Sequence, residues 1–96
     1  MIRRTPIARG RMIKVTFALD DAPERVSVVG DFNEWDPHAH PLRRRSNGTR
    51  SVAVELAPAA TYRFRYLDEG GRFYDDHAAD SLEPNGFGDT HSVLRT

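Results

Sequence analysis

The stretch RSVAVELAPAATYRFRYLDEGGRFY, residues 50–74, decides the fold class of this chain. In its first part Val52, Val54 and Leu56 alternate with small or polar residues, which is the period-two pattern of a half-buried strand. Pro58 then ends the run, because proline cannot donate to a strand ladder. The segment therefore begins with a strand that buries one face.

A second alternating run follows in TYRFRYLD, residues 61–68. Tyr62, Phe64 and Tyr66 share one side of the predicted strand, while Arg63 and Arg65 share the other. The EGG turn and the short RFY run after it complete a hairpin.

Similar runs occur on both sides of this segment. MIKVTFAL at 12–19 alternates in the same way, RVSVVG at 25–30 is rich in β-branched residues, and HSVLR at 91–95 predicts a last short strand. The irregular segment before that last strand, DDHAADSLEPNGFGDT, predicts a long connection. Short strands joined by Pro- and Gly-rich turns predict an all-β fold, an antiparallel β-sandwich of immunoglobulin-like type.

The chain has 96 residues, close to the usual size of one domain. Residues 1–11 carry charge and Pro6 without periodicity, which predicts a flexible N-terminal arm or a loosely docked edge. Residues 12–96 are expected to form the single sandwich domain.

Composition argues against several classes of protein. Lys and Arg total 14 and Asp and Glu total 14, so no net charge points to nucleic acid or an anionic membrane as a partner. The absence of cysteine excludes disulfides, thiolate metal sites and a cysteine nucleophile. No run of about 18 apolar residues is present, and the first residues lack the apolar run of a secretory signal, so we expect a cytoplasmic protein.

The segment GDFNEWDP, residues 30–37, holds the single tryptophan of the chain, outside every alternating run. Two roles fit Trp35. Either its ring folds back and caps one open end of the sandwich, or it stays exposed as a flat platform. Asp31 and Asn33 are expected to hold the loop by bonds from side chain to backbone.

An exposed aromatic beside polar residues suits a sugar, because a pyranose ring has an apolar C–H face and a rim of hydroxyls. Candidates for the polar rim stand on the hairpin strand and near the C-terminus: Arg63, Arg65, Asn85, His91 and Ser92. Arginines on a strand also serve as solubilising or edge-protecting charges, so the pattern alone leaves both roles open.

The chain resembles carbohydrate-binding module family 48 in four segments that follow in unbroken order, VSVVGDFNEWDP, NGTRSVAVELAP, YRFRYLDEGGRFYDDHAAD and EPNGFGDTHSVL. This family is the early-set immunoglobulin-like domain of isoamylases and glycogen-branching enzymes. The glycogen-binding domain of the AMP-activated protein kinase β subunit is a relative. The resemblance implies an early-set sandwich that binds α-glucans without catalysis or a cofactor.

The resemblance also assigns two stacking residues. Trp35 matches the family's first stacking tryptophan, and Phe73 stands where the second occurs. An alternative for Phe73 is that it packs into the core, with Tyr74 turned outward in its place.

Four further positions are carried over from the family. Arg65 falls where glycogen-binding relatives often place a basic residue that donates to sugar hydroxyls. Phe87 lies where a loop hydrophobe contacts the ligand, and His91 and Ser92 fall on a pair that is often Asn-rich and lines the polar rim.

Other kinds of site have weaker support in the sequence. His38 and His40 stand two apart in a Pro-bounded loop with no fixed third ligand, so no metal site is expected. Asp75, Asp76 and Asp80 are close in sequence, but a small sandwich offers little cleft for the paired carboxylates of a glycosidase. The arginines at 43–45 are expected to be a solvated face.

We therefore predict a non-catalytic module that binds a glycogen- or starch-type α-glucan. The alternative is a protein-interaction module on the same fold, which keeps a relict sugar site and docks a glucan-metabolising enzyme or a second copy of itself. Neither nucleic acid nor membrane is an expected partner.

Overall fold

The alternating runs become the strands of two sheets. The structure is a computed structural model and describes residues 2–7, 12–20, 24–76, 78–84, 86 and 89–96. The strands of this described part are β1 (Ile2–Pro6), β2 (Ile13–Leu19), β3 (Val26–Gly30), β4 (Arg43–Arg44), β5 (Arg50–Leu56), β6 (Thr61–Asp68), β7 (Phe73–Tyr74), β8 (Ser81–Pro84) and β9 (Thr90–Arg95). A single 3₁₀ turn, Asp31–Asn33, is the one helical element among these residues.

All of the strand pairings are antiparallel. The first sheet has the order β1-β2-β5-β4, and the second has the order β3-β6-β9-β8 with β7 added beside β6. This arrangement confirms the predicted antiparallel β-sandwich. Within the described residues, no helix is both long and apolar enough to cross a membrane.

The core lies between the inner faces of the two sheets. The alternating apolar residues supply it, as the period-two pattern predicted: Val15, Phe17, Val54 and Leu56 come from the first sheet, and Val28, Phe64, Tyr66 and Leu94 from the second. Phe17 contacts Phe64 edge to face at 5.0 Å between ring centroids, which joins the two layers at the centre.

The N-terminal segment forms part of the first sheet. Ile2–Pro6 pairs along its whole length with β2, and Arg4 donates to Asp80 and to the carbonyl of Arg95 on the second sheet. The segment is thus a docked edge, the second of the two forms expected for it. The domain boundary predicted after residue 11 stays a prediction.

One strand lies where the sequence predicted an irregular connection. Ser81–Pro84 pairs with β9 at the edge of the second sheet, and Leu82 there is 54% exposed. An edge strand of four residues needs no buried face, so it leaves no alternating apolar pattern to detect.

Candidate functional site

The candidate site lies on the side of the second sheet that faces away from the core, named here the outer face. Since Phe64 and Tyr66 point into the core, their neighbours on β6 point outward. Strand register places partners from β3, β7, β8 and β9 on the same side. The outer face comprises Ser27, Val29, Arg63, Arg65, Leu67, Phe73, Glu83, His91 and Val93.

The loop that borders this face is built by the GDFN segment. Gly30 is required by close approach, because a Cβ at this position would lie 2.5 Å from the Arg63 carbonyl oxygen. Asn33 accepts from the Gly30 N–H and donates to the Val28 carbonyl, at 3.0 Å in each case. Asp31 accepts from the Arg63 N–H at 2.9 Å. The predicted roles of Asp31 and Asn33 in holding the loop are therefore confirmed.

Phe32 fills the capping role that the sequence left open for Trp35. Its ring stacks on Phe17 at 5.8 Å and meets Tyr62 edge-on at 6.1 Å, so it closes that end of the core. His40 lies at the same end, where its Nδ1 accepts from the Asn33 side chain at 2.9 Å.

Trp35 is turned outward at the end of this loop. Glu34 and Trp35 both have positive φ, 57° and 59°, a left-handed pair that reverses the chain immediately after the 3₁₀ turn. The Trp35 ring is 38% exposed, and its Nε1 donates to Asp31 Oδ1 at 3.3 Å. Because Asp31 also binds the Arg63 backbone, the indole stands at the border of the outer face.

Phe73 is the second exposed aromatic ring. It pairs with Leu67 on the outer face and is 49% exposed. Tyr74 points the other way, with its ring centroid 5.7 Å from that of Tyr66. Burial raises the pKa of Tyr74, and the charges of Asp68 and Glu24 add to this effect. The alternative in which Phe73 enters the core is therefore wrong.

Arg65 lies under Phe73 and is 9% exposed. Its guanidinium carbon is 5.5 Å from the Phe73 ring centroid, Nη1 donates to Asp89 at 3.1 Å, and Nε lies 3.4 Å from Asp75 Oδ1. The Asp89 pKa is lowered, mainly by the Thr90 backbone N–H and then by the Arg65 charge. Arg65 thus pairs with two protein carboxylates, although the resemblance implied a direct bond to sugar.

A row of polar groups crosses the outer face beside the two rings. Arg63 Nε donates to Glu83 Oε1 at 2.9 Å, and His91 Nε2 donates to the same oxygen at 3.1 Å. Both hydrogen bonds lower the pKa of Glu83, and the bond from His91 has the larger effect. The row runs from Asp31 through Arg63 and Glu83 to His91. Sequence reasoning assigned Asp31 to the loop alone and missed Glu83, whose partner Arg63 stands 20 positions away.

The other predicted site residues differ in position. Ser92 pairs with Phe64 and is fully buried, where its hydroxyl donates to Asp75 and accepts from the Asp76 N–H. A sugar on the surface cannot reach it, so its predicted place in the polar rim is wrong. Phe87 and Asn85 lie outside the described residues.

The carboxylates considered for hydrolysis are engaged inside the protein. Asp75 accepts from Thr90 and Ser92, and Asp76, itself buried, accepts from the Tyr66 hydroxyl at 2.5 Å. Burial and this bond raise the Tyr66 pKa. Among the described residues, no three or more His, Asp or Glu side chains gather as a metal site would require.

Comparison with known families gives a match over most of this domain. Residues 14–86 match the model of carbohydrate-binding module 48, described as the isoamylase N-terminal domain. The match includes the Trp35 loop, the β6-β7 hairpin and Phe73, and it ends before His91.

Curated proteins similar to this chain include enzymes named 1,4-alpha-glucan branching enzyme GlgB. That of Synechococcus elongatus is 38% identical over 63 residues, 65% of this chain and 8% of the relative. That of Rubrobacter xylanophilus is 45% identical over 47 residues, which is 49% of this chain and 6% of the relative. That of Deinococcus radiodurans is 43% identical over 53 residues, which is 54% of this chain and 8% of the relative. The similarity thus covers less than a tenth of each relative's length.

Proposed function

Because the chain belongs to the carbohydrate-binding module 48 family, we propose that it binds α-glucan chains by stacking glucose units on Trp35 and Phe73. The observation that supports this most directly is the orientation of the GDFNEW segment. Gly30, Phe32 and Asn33 serve the fold, whereas Trp35 presents its ring to solvent beside the outer face.

The chemistry of the outer face suits a sugar. Trp35 and Phe73 offer apolar planes for the C–H faces of two glucose units, and the polar row beside them offers both donors and acceptors. Arg63 and His91 can donate to hydroxyls, while Asp31 and Glu83 can accept from them. A sugar chain presents apolar C–H faces and hydroxyl groups side by side, which matches this arrangement of rings and polar groups.

The affinity expected is low. The site is shallow and its polar groups already bond to each other, so a sugar must replace these bonds or share them. We expect dissociation constants of about 10 μM to 1 mM, or roughly −7 to −4 kcal/mol.

The same proposal makes the domain non-catalytic. A glycosidase needs two positioned carboxylates that are free to act on the bond. Asp75 and Asp76 are instead bonded within the protein, and Asp80 accepts from Arg4 and from the Arg95 N–H.

Titration with maltoheptaose and β-cyclodextrin tests the proposal, by calorimetry and by intrinsic fluorescence. Since Trp35 is the single tryptophan, any fluorescence change on binding reports this loop. Trp35→Ala should weaken binding by at least about 2 kcal/mol, as loss of a central aromatic anchor does. Leu82→Ala, which removes an exposed side chain from strand β8, is the control and should bind as the parent does.

A folded Trp35→Ala variant that binds maltoheptaose as tightly as the parent would contradict the role of Trp35. Absence of heat and of fluorescence change in the parent at millimolar sugar would contradict glucan binding itself.

Docking of a protein partner is a second candidate role, and strand β8 supports it. This edge strand carries Leu82, 54% exposed, and an open edge can pair with another chain. The partner would be a glucan-metabolising enzyme or a second copy of this chain. Sedimentation analysis across a range of concentrations distinguishes self-association from a monomer.

A further inference from the structure

A groove of about 560 Å³ adjoins the outer face on the side of strand β3. Ser27 and Leu67 form its floor, and the loop after Trp35 supplies a wall of Pro37, His38 and Pro41. Its volume falls in the range of roughly 300–1,000 Å³ that is typical of small-molecule sites. The groove is thus large enough to hold part of a sugar chain.

The groove is continuous with the proposed glucan site. Leu67 pairs with Ser27 on one side and with Phe73 on the other, so the floor begins one strand away from the Phe73 ring. Pro37 follows Trp35 by two residues. A chain that lies across both aromatic rings therefore meets the open end of the groove.

The wall of the groove is held in place before any ligand binds. The Val28 N–H donates to the His40 carbonyl at 3.1 Å, and the Leu42 N–H donates to the Val26 carbonyl at 2.9 Å, so the loop runs along β3 as an added strand. The His38 N–H donates to the Asp36 side chain at 2.8 Å. A preformed wall lowers the ordering cost of binding.

The lining combines the two kinds of surface that a pyranose needs. Leu67 and the rings of Pro37 and Pro41 present C–H surfaces, and the exposed His38 side chain stands beside them. Arg25 and Glu69 bring a donor and an acceptor to the far end. The groove therefore resembles the outer face in combining apolar and polar groups, but its apolar surfaces are aliphatic and not aromatic.

We propose that the glucan site extends from Trp35 and Phe73 into this groove, where further glucose units of the same linear chain bind. The inference rests on the proposed function, since it concerns the same ligand. It makes the domain a reader of chain length, with short maltooligosaccharides using the rings alone and longer ones using the rings and the groove.

The experiment compares maltotriose with maltoheptaose on the parent and on His38→Ala, which truncates an exposed side chain of the groove wall that is not part of the outer face. We expect the variant to lose about five- to tenfold in affinity for maltoheptaose and to keep its affinity for maltotriose within about twofold. Maltoheptaose can occupy a short site in more positions than maltotriose, and this alone raises its apparent affinity. The effect is the same for the parent and the variant, so it cancels when the two are compared. Leu82→Ala, a truncation to alanine at the opposite edge of the same sheet, should alter neither affinity.

A second measurement needs no substitution. In amide nuclear magnetic resonance spectra of the parent, saturating maltoheptaose should shift the signals of Ser27, His38 and Leu67, whereas saturating maltotriose should leave Ser27 and His38 in place. This readout also holds if His38→Ala folds poorly.

Equal losses for both sugars in His38→Ala, or no loss for either, would overturn the extended site, as would unshifted groove amides with maltoheptaose. In these cases maltotriose still binds to the parent, and the proposed function stands. If neither sugar binds to the parent, the proposed function fails first and the extended site fails with it.

Discussion

The Arg65 guanidinium carbon lies 5.5 Å from the centroid of the Phe73 ring, and the exposed ring covers the buried cation. On its other sides the cation meets Asp75 and Asp89. Arg65 therefore supports the Phe73 platform from beneath. In the proposed site, this basic residue would therefore act largely through the ring above it, and not by a direct bond to sugar.

Arg65→Ala should destabilise the fold. The change leaves the mostly buried Asp75 without its cation and removes a cation–π contact, so we expect the free energy of unfolding to fall by about 2–3 kcal/mol. Urea denaturation measures this. Arg63→Ala is the control on the same strand, and since Arg63 pairs with exposed partners, its loss should stay below about 1 kcal/mol. Equal losses in the two variants would contradict the supporting role.

Phe73→Trp should tighten glucan binding. The position is exposed, so the larger indole fits without repacking, and it offers a wider apolar plane to the sugar. We expect about three- to tenfold higher affinity for maltoheptaose by calorimetry, and about tenfold lower affinity for Phe73→Ala. Tyr74→Phe, which changes the neighbouring residue on the opposite side of the strand, should leave the affinity unchanged. A Phe73→Ala variant with parental affinity would exclude Phe73 from the site.

The central strands could be predicted from the sequence because each buries one face. β2, β5 and β6 carry alternating apolar residues, and this alternation is the direct imprint of one buried side. β1 and β8 lie at sheet edges and fully bury none of their residues, so they leave no such imprint. Each of these edge strands is set by pairing with the next strand of the chain, β2 or β9, and not by a buried face of its own.

The candidate site could be predicted only in part. The sequence placed Trp35 in a polar loop outside every strand pattern but left open whether its ring caps the core or stays exposed, and only the structure decides this. Ser92 was assigned to the surface together with His91, yet adjacent residues in a strand face opposite sides, so the period-two rule itself separates them. The bond from Arg63 to Glu83 joins residues twenty positions apart and depends on strand register, which no local pattern reveals.

Phe32→Ala and Trp35→Ala should separate folding from binding. Phe32 packs on Phe17 and closes the end of the core, so its truncation should lower the free energy of unfolding by about 2–3 kcal/mol. The Trp35 ring is partly exposed, and its truncation should cost less than about 1 kcal/mol of stability. Urea unfolding followed by circular dichroism suits both variants, since one lacks the tryptophan. A larger loss for Trp35→Ala would show that its ring caps the core.

Stability at acid pH should depend on Glu83. In the folded protein, hydrogen bonds from His91 and Arg63 favour the carboxylate and lower its pKa. The unfolded chain therefore binds this proton at a higher pH than the folded chain, so the stabilisation is present above the unfolded pKa of about 4.5 and is lost as the pH falls through the folded value. Glu83→Gln keeps the shape of the side chain but removes the charge.

The urea midpoints of the parent and Glu83→Gln, measured from pH 3 to pH 6.5, should therefore differ most at the upper end and converge at the lower end. Glu55→Gln, an exposed position on the first sheet, is measured beside them as a charge-matched control. Parallel curves for the parent and Glu83→Gln would show that the row from Arg63 to His91 does not stabilise the folded state in solution. Because the same row is the polar rim of the proposed glucan site, convergence at low pH would also locate the pH below which that site loses its central acceptor.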